Sequence, residues 1–170
     1  MGVSITPLLV KHEIEMESLR GKILVVDGFN ILYQFLTTIR ARDGTPLTDS
    51  HGNVTSHLIG LFGRTTTIMS KGIKLAFVFD GESPELKRKE RERRSSLKQD
   101  AQVRFDAAKA KEDVDEMKKF AARTAKLTAP MLDEAKKLLT ALGIPVIQAP
   151  SEGEAQAAHM VLESQEFQVL

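Results

Sequence analysis

Carboxylic side chains follow three apolar segments of the sequence, at the point where each segment ends. Asp27 comes directly after KILVV and Asp80 directly after IKLAFVF. Glu152 and Glu154 come shortly after IPVIQ. If these segments are parallel strands, their carboxyl ends meet at one edge of a sheet, where open α/β folds bind ligands. Carboxylates gathered there repel one another unless a cation lies among them, and oxygen ligands without His or Cys favour Mg²⁺ or Mn²⁺.

Ions held by carboxylates and a substrate phosphate suit the in-line attack of water on a phosphodiester, with two ions roughly 3.5 to 4 Å apart sharing the charge. Lys87 and Arg94 follow Asp80 in a basic segment, where their charges are placed to stabilise the same transition state. The residue types therefore predict a metal-dependent nuclease.

Each acid also has a purely structural interpretation. Asp27 and Asp80 both precede glycine and suit turn or N-cap positions. Ser151 and Glu154 fit the S-x-x-E capping box, in which Glu154 bonds the backbone of Ser151. Capping gives no reason for all three segments to end in an acid, and it leaves Glu152 without a role. The joint pattern therefore favours the metal site.

The elements that must position these acids follow from the hydrophobic pattern. Near-continuous apolar runs are typical of strands buried on both faces of a parallel sheet, and they cover 22–26, 73–79 and 144–148. FQVL at 167–170 predicts the start of a fourth strand. Apolar residues at helical spacing predict helices over 29–41, 54–70, 129–142 and 151–164. The sequence thus predicts an α/β fold.

A basic insertion of about 50 residues, 81–128, separates the second and third strands. Ser83 and Pro84 suit the N-cap and first position of a helix. A cationic stripe runs along one face of that helix, made of Lys87, Arg91, Arg94 and Lys98. An ordinary solvated helix face is the plainer interpretation. Its position after a strand-end aspartate favours phosphate binding instead, and its scarcity of large apolar residues predicts that it needs a partner to become ordered.

Composition bounds the class of protein. A chain of 170 residues, 42% hydrophobic and 28% charged, is typical of one soluble domain. It shows no secretion signal and no apolar run long enough to span a membrane, which predicts an intracellular protein with no membrane partner. The absence of cysteine excludes disulfides, thiolate zinc sites and thiol nucleophiles. Because the net charge is only +1, a nucleic-acid partner must be sought in local patches.

Four segments together resemble the N-terminal and intermediate regions of archaeal-type flap endonucleases, in the XPG-like structure-specific 5′-nuclease family. They are VVDGFNILYQFLTTIR, GTPLTDSHGNVTSHLIGLFGRT, GIKLAFVFDGESPELKRKE and AKKLLTALGIPVIQAPSEGEAQAAHM. The resemblance covers nearly the whole chain. It implies a PIN-like fold, a mostly parallel sheet flanked by helices, in one nuclease domain over 1–170 with a helical gateway and arch inserted at 82–128.

The resemblance also implies the roles of individual residues. Its metal ligands match Asp27, Asp80, Glu152 and Glu154, which would bind two Mg²⁺ in the complete enzyme, with Mn²⁺ as a substitute. Lys87 and Arg94 match a catalytic basic pair. Arg91 and Lys98 are not part of that match; as members of the cationic stripe they are predicted to bind DNA beside this pair. Tyr33 matches an aromatic that stacks on the nucleotide beside the scissile phosphate, although a tyrosine in FNILYQFL is by itself more typical of a core.

The implied activity is hydrolysis of 5′ flaps or 5′ ends of DNA during Okazaki fragment maturation and repair. It would take place in the cytoplasm or nucleoid of an archaeon or the nucleus of a eukaryote. The loop 42–53 matches the wedge that meets bent duplex DNA. In this family further aspartates, a helix-hairpin-helix and a tail that binds the sliding clamp all lie beyond the position of Leu170. The chain is therefore expected to be a truncated nuclease with impaired activity.

Two alternatives stay open on the sequence. A related PIN-like RNase or 5′–3′ exonuclease would share the acids without needing an arch. A DNA-binding remnant without catalysis would keep the basic face alone. FVFDGE also resembles the strand end of aspartyl phosphotransferases, but the second acid of their D-x-D motif is a glutamate here and their partner motifs are missing, which speaks against that class.

Overall fold

Four short strands form a parallel sheet in the computed structural model, which describes residues 13–82, 88–111, 120, 124–163 and 167–169. The strands are β1 (Ile23–Asp27), β2 (Lys74–Phe79), β3 (Val146–Gln148) and β4 (Phe167–Val169). Their order across the sheet is β3-β2-β1-β4, and every neighbouring pair is parallel. Each strand agrees with a predicted apolar run to within two residues, which confirms the α/β prediction.

Five helices with described bounds surround this sheet or extend from it. They are α1 (Gly28–Thr38), α2 (Ser56–Ser70), α3 (Arg88–Ala110), α4 (Ala129–Ala141) and α5 (Gly153–Glu163), and a 3₁₀ turn, Met16–Leu19, precedes β1. The four predicted amphipathic helices are confirmed, with ends that differ by up to three residues. Helix α4 carries Pro130 in its first turn, and Gly143 beyond its end has a φ of 73°, the left-handed conformation that glycine adopts readily.

Apolar side chains cover both faces of the sheet, as the continuous hydrophobic runs predicted. Alternate residues of a strand point to opposite faces. Leu24 and Val26 of β1 join a cluster with side chains of α1, α2 and α4, whereas Val25 faces a second cluster with Ala157 of α5. The sheet is therefore a central layer, and its carboxyl edge is where the strands pass into α1, the basic insertion and α5.

The segment between α1 and α2 is more ordered than a simple turn. Two antiparallel bridges, Arg40 with Pro46 and Thr48 with Val54, fold it back on itself. At its end the Ser56 hydroxyl accepts a hydrogen bond of 2.9 Å from the Leu47 amide. This loop is thereby fastened to the start of α2.

The basic insertion contains a helix, α3, as predicted, whereas the proposed cap at Ser83 and Pro84 lies outside the described residues. It also contains a small apolar cluster that the sequence analysis did not anticipate. Phe105, Ala108 and Phe120 are buried together, and the Arg104 guanidinium lies 5.6 Å from the centre of the Phe120 ring. Within the described ranges, no helix is long and apolar enough to cross a membrane.

Candidate active site

The sheet order places the predicted acids at the ends of three neighbouring strands. Asp27 is the last residue of β1, and Asp80 follows β2 directly. Glu152 precedes α5, which begins five residues after β3 ends. Because β3, β2 and β1 are adjacent and parallel, these acids lie along one edge of the sheet, as predicted.

Asp27 combines a structural role with an electrostatic one. Its Oδ1 accepts a hydrogen bond of 3.1 Å from the Asn30 amide, so it is the N-cap of α1, and the capping interpretation is confirmed for this residue. Burial raises the pKa of the Asp27 carboxyl, and the negative charge of Asp80 raises it further, against the lowering effect of amide hydrogen bonds. The two carboxylates are therefore close enough to repel each other.

Asp80 binds the first turn of a distant helix. Its Oδ1 accepts a hydrogen bond of 2.7 Å from the amide of Gly153, the first residue of α5. A helix N-terminus carries unpaired amides and a partial positive charge, so it stabilises a carboxylate. A Cβ at position 153 would lie 2.8 Å from the same oxygen, and this close approach explains the glycine between two glutamates.

The capping box, the structural alternative for Ser151 and Glu154, does not form. Helix α5 begins at Gly153, and the Ser151 hydroxyl donates instead to the carbonyl of Glu82, at 3.1 Å. No hydrogen bond joins Ser151 and Glu154, both of which the structure describes. Glu154 is exposed in the first turn of α5, where the helix dipole favours a negative charge.

The donor chemistry fits part of a divalent metal site. Asp27 and Asp80 supply oxygen ligands, and a cation between them would relieve their repulsion, which adds to the effect of burial in raising the pKa of Asp27. Within the described part of the chain, no three His, Asp or Glu side chains are grouped closely enough to hold a metal ion. The full ligand set, with Glu152 and Glu154, therefore stays a prediction.

The structure describes only some of the residues predicted to contact DNA. Tyr33 is half-buried on α1 and interacts electrostatically with Arg40. Lys87 lies outside the described residues. The backbone of α3 includes 91, 94 and 98, but the side chains of Arg91, Arg94 and Lys98 also lie outside the described part. Their roles stay predictions.

The residues that hold the backbone of Asp80 in place were not predicted from the sequence. The Gly81 amide donates to the carbonyl of Ser151 at 2.6 Å, and a Cβ at Gly81 would collide with the carbonyl oxygen of Ala149. The Gln148 side-chain amide donates to the carbonyl oxygens of Phe79 and Asp80. A polar residue at the end of the apolar run IPVIQ was the one available signal for Gln148.

Comparison with known proteins shows the family to which the chain belongs. Residues 1–101 match the model of the XPG N-terminal domain. The chain is 53% identical over 160 residues to flap endonuclease 1 of Pyrococcus horikoshii, an alignment covering 94% of this chain and 47% of that protein. It is 54% identical over 165 residues to flap endonuclease 1 of Staphylothermus marinus, covering 95% and 47%. The chain spans about half the length of the curated relatives it matches.

Solved structures give the same result for the fold. Flap endonuclease-1 from Methanococcus jannaschii superposes with a TM-score of 0.69 at 43% identity, covering 97% of this chain and 52% of that one. The catalytic core of Rad2 in complex with a DNA substrate superposes with a TM-score of 0.62 at 28% identity, covering 93% and 39%. The predicted PIN-like fold is therefore confirmed.

Proposed function

The chain belongs to the family of the XPG N-terminal domain, and we propose that it carries the nuclease centre of a structure-specific 5′ flap endonuclease. The reaction is hydrolysis of phosphodiester bonds in DNA, in the context of replication and repair. The observation that carries the proposal is the meeting of Asp27 and Asp80 at adjacent strand ends, with the N-terminus of α5 bound to Asp80. Similarity to flap endonucleases over nearly the whole chain supports it.

In this proposal Asp27 and Asp80 hold Mg²⁺, or Mn²⁺ in its place, and Glu152 and Glu154 complete the protein's ligands. When bound, a divalent ion activates water and stabilises charge on phosphate oxygens. The protein contributes by holding Asp80 in place before substrate arrives, because the Gly153 amide binds one of its oxygens. The cap on α1 holds Asp27 in the same way.

The DNA strand is held by residues on either side of this edge. Lys87 and Arg94, at the start of a helical gateway and arch over 82–128, neutralise the phosphate that reacts. Arg91 and Lys98 bind neighbouring phosphates, and Tyr33 stacks on a base. Rad2, one of the structural relatives, was solved with a DNA substrate, which supports DNA as the substrate of this chain.

Cleavage of two labelled substrates tests the proposal. A 5′ flap DNA and a single-stranded RNA are incubated with the 170-residue chain, in Mg²⁺ and in EDTA. We expect the flap, and not the RNA, to be cleaved, and only when Mg²⁺ is present. The cleavage rate should fall by at least about 100-fold in Asp27→Asn and in Asp80→Asn. Asp133→Asn, on the exposed surface of α4, is the matched control and keeps the starting rate.

Three outcomes contradict the proposal. They are preferential cleavage of RNA, flap cleavage that persists in EDTA, and flap cleavage that survives Asp80→Asn. The first would favour a PIN-like RNase, and the other two would remove the metal site from the mechanism.

A further inference from the structure

We propose that Gln148 and Lys136 are positioning residues that set the place of Asp80 through its backbone. The inference rests on the proposed function, since it takes Asp80 to be a metal ligand. It adds two residues that contact neither the metal nor the substrate in that proposal. Their effect passes through the backbone carbonyl of Asp80, whereas Gly153 binds its carboxylate.

Gln148 lies where it can hold the end of β2. It is the last residue of β3 and pairs in register with Phe79, the last residue of β2. Its Nε2 donates to the Phe79 carbonyl at 3.2 Å and also to the Asp80 carbonyl. The Phe79 carbonyl also accepts a hydrogen bond of 2.8 Å from the Ala149 amide. The backbone just after Gln148 and the Gln148 side chain therefore bind the same oxygen. One amide group thus spans the boundary between the strand and the acid that follows it.

Lys136 fixes the orientation of that amide. Its Nζ donates to Gln148 Oε1 at 3.0 Å and lies 5.0 Å from the centre of the Phe79 ring. An ammonium group has donors only, so it requires the oxygen of Gln148 on its side. The NH₂ group is then left facing the two carbonyls, which are acceptors only. Attraction to the aromatic face holds the half-buried Lys136 over the end of β2.

These contacts leave the backbone around Asp80 little freedom. Gln148 binds the Asp80 carbonyl, the Gly153 amide binds its carboxylate, and the next residue, Gly81, donates to the Ser151 carbonyl at 2.6 Å. Loss of the Gln148 contact allows the peptide after Asp80 to rotate, and the carboxylate moves with it. Mutation of residues that orient metal ligands in this way typically weakens metal binding by about 10- to 100-fold.

Variants of the 170-residue chain separate this role from general packing. Gln148→Glu keeps the length and the contact with Lys136, but it places an oxygen where the two carbonyls need a donor. Gln148→Asn is a neutral variant too short to span both carbonyls, in case the charged one does not fold. Lys136→Met removes the positive charge of this side chain, whereas Lys136→Arg keeps a positive charge at the same position. Lys137→Met, at an exposed neighbouring position of α4, is the matched control.

Two readouts decide the question without nuclease activity. They are the NMR shift and hydrogen exchange of the Gly153 amide, and the affinity for Mn²⁺ measured by titration. We expect Gln148→Glu, Gln148→Asn and Lys136→Met to shift and deprotect the Gly153 amide and to weaken Mn²⁺ binding about tenfold or more. Lys136→Arg should recover most of both signals, and Lys137→Met should leave both unchanged.

The inference is overturned if both Gln148 variants leave the Gly153 amide in place, or if they change Mn²⁺ affinity by less than about twofold. It is also overturned if Lys137→Met deprotects the Gly153 amide and weakens Mn²⁺ binding as much as the Gln148 variants do. The failure of the proposed function looks different: the unsubstituted chain binds no Mn²⁺ and cleaves no flap, and the dependence of Asp80 on Gln148 is then decided by the Gly153 amide alone.

Discussion

The carboxylate of Asp80 accepts a hydrogen bond of 2.7 Å from the backbone amide of Gly153, 73 residues later in the chain. This contact joins the end of β2 to the start of α5 across the carboxyl edge of the sheet. It makes Asp80 both a cap for a distant helix and a site residue whose carboxylate is held in one place. The site therefore depends on the packing of α5 as well as on the strands.

Replacement of Gly153 tests this coupling. In Gly153→Ala the new methyl group would lie 2.8 Å from Asp80 Oδ1, so the carboxylate or the helix must shift. We expect the unfolding free energy to fall by about 1 to 3 kcal/mol, as for other overpacked sites, and Mn²⁺ affinity to fall with it. Urea denaturation and Mn²⁺ titration measure the two effects. Unchanged stability together with unchanged affinity would show that the contact does not constrain Asp80.

Substitution by alanine should have opposite effects on stability at two glycines of α2. A Cβ at exposed Gly63 meets nothing within 4 Å, so Gly63→Ala should stabilise the chain by about 0.5 to 1 kcal/mol through helix propensity. A Cβ at buried Gly60 would overlap the Phe35 ring, so Gly60→Ala should destabilise it. Urea denaturation of the pair checks both signs. Stabilisation by both alanines would contradict the packing of α2 against α1.

Asp27 should cost stability at neutral pH. Because its pKa is raised in the folded state, the folded chain binds more protons than the unfolded chain above about pH 4, and stability falls as pH rises through the folded pKa. Asp27→Asn keeps an N-cap acceptor and should stabilise the chain near pH 7 by about 0.5 to 1 kcal/mol, after allowance for solvent screening. The gain should disappear as the pH falls through the folded pKa. Denaturation at several pH values measures it.

Asp49 supplies a control of opposite sign for Asp27. Hydrogen bonds from the Asn53 side chain and from backbone amides lower the pKa of Asp49. Its contribution to stability is therefore present above the unfolded pKa and is lost as pH falls through the folded one. Asp49→Asn should lower stability near pH 7 and have little effect in acid. The same sign for both substitutions would count against the assigned electrostatics.

His57 should make the fold sensitive to mild acid. Its side chain is fully buried at the start of α2, with Nε2 3.5 Å from Glu134 Oε2 on α4. Burial lowers the pKa of His57, and the charge of Glu134 opposes this effect. Since the folded pKa lies below the unfolded value of about 6.5, stability is complete above that value and is lost as pH falls through it towards the folded pKa.

Variants at this pair separate titration from packing. His57→Phe should remove most of the loss of stability between about pH 7 and pH 5, and Glu134→Gln should make that loss steeper because it removes the opposing charge. His51→Asn, at a position that is 82% exposed, is the control and keeps the original profile. Thermal unfolding across this pH range gives the slopes. A His57→Phe profile parallel to that of the parent chain would exclude His57 as the titrating group.

The sheet and its acids were predictable because the information is local. Strands buried on both faces read as continuous apolar runs, and an acid after each run is visible in the sequence. The start of α5 was not predictable in this way. Ser151 and Glu154 fit a local capping box, but Asp80 supplies the cap from 73 residues away and Ser151 binds Glu82 instead. Tertiary contacts overrode a valid local pattern.

The residues that position Asp80 could not be predicted from the sequence for the same reason. Gln148 and Lys136 lie on β3 and α4, and nothing in the sequence pairs them with each other or with Asp80. The apolar cluster of Phe105 and Phe120 in the insertion was likewise missed. In the described residues it has two large apolar side chains, which is too weak a signal against a strongly charged background.

Mapping of Mn²⁺ on the 170-residue chain shows whether Asp27 and Asp80 bind a metal ion, because a paramagnetic ion broadens the NMR signals of nuclei close to it. We expect selective broadening of the amides around Asp27, Asp80 and Gly153 at low Mn²⁺ concentration, reversal by excess Mg²⁺, and loss of the effect in Asp80→Asn. Broadening confined to other carboxylates, or broadening that survives Asp80→Asn, would contradict a metal centre at the carboxyl edge of the sheet.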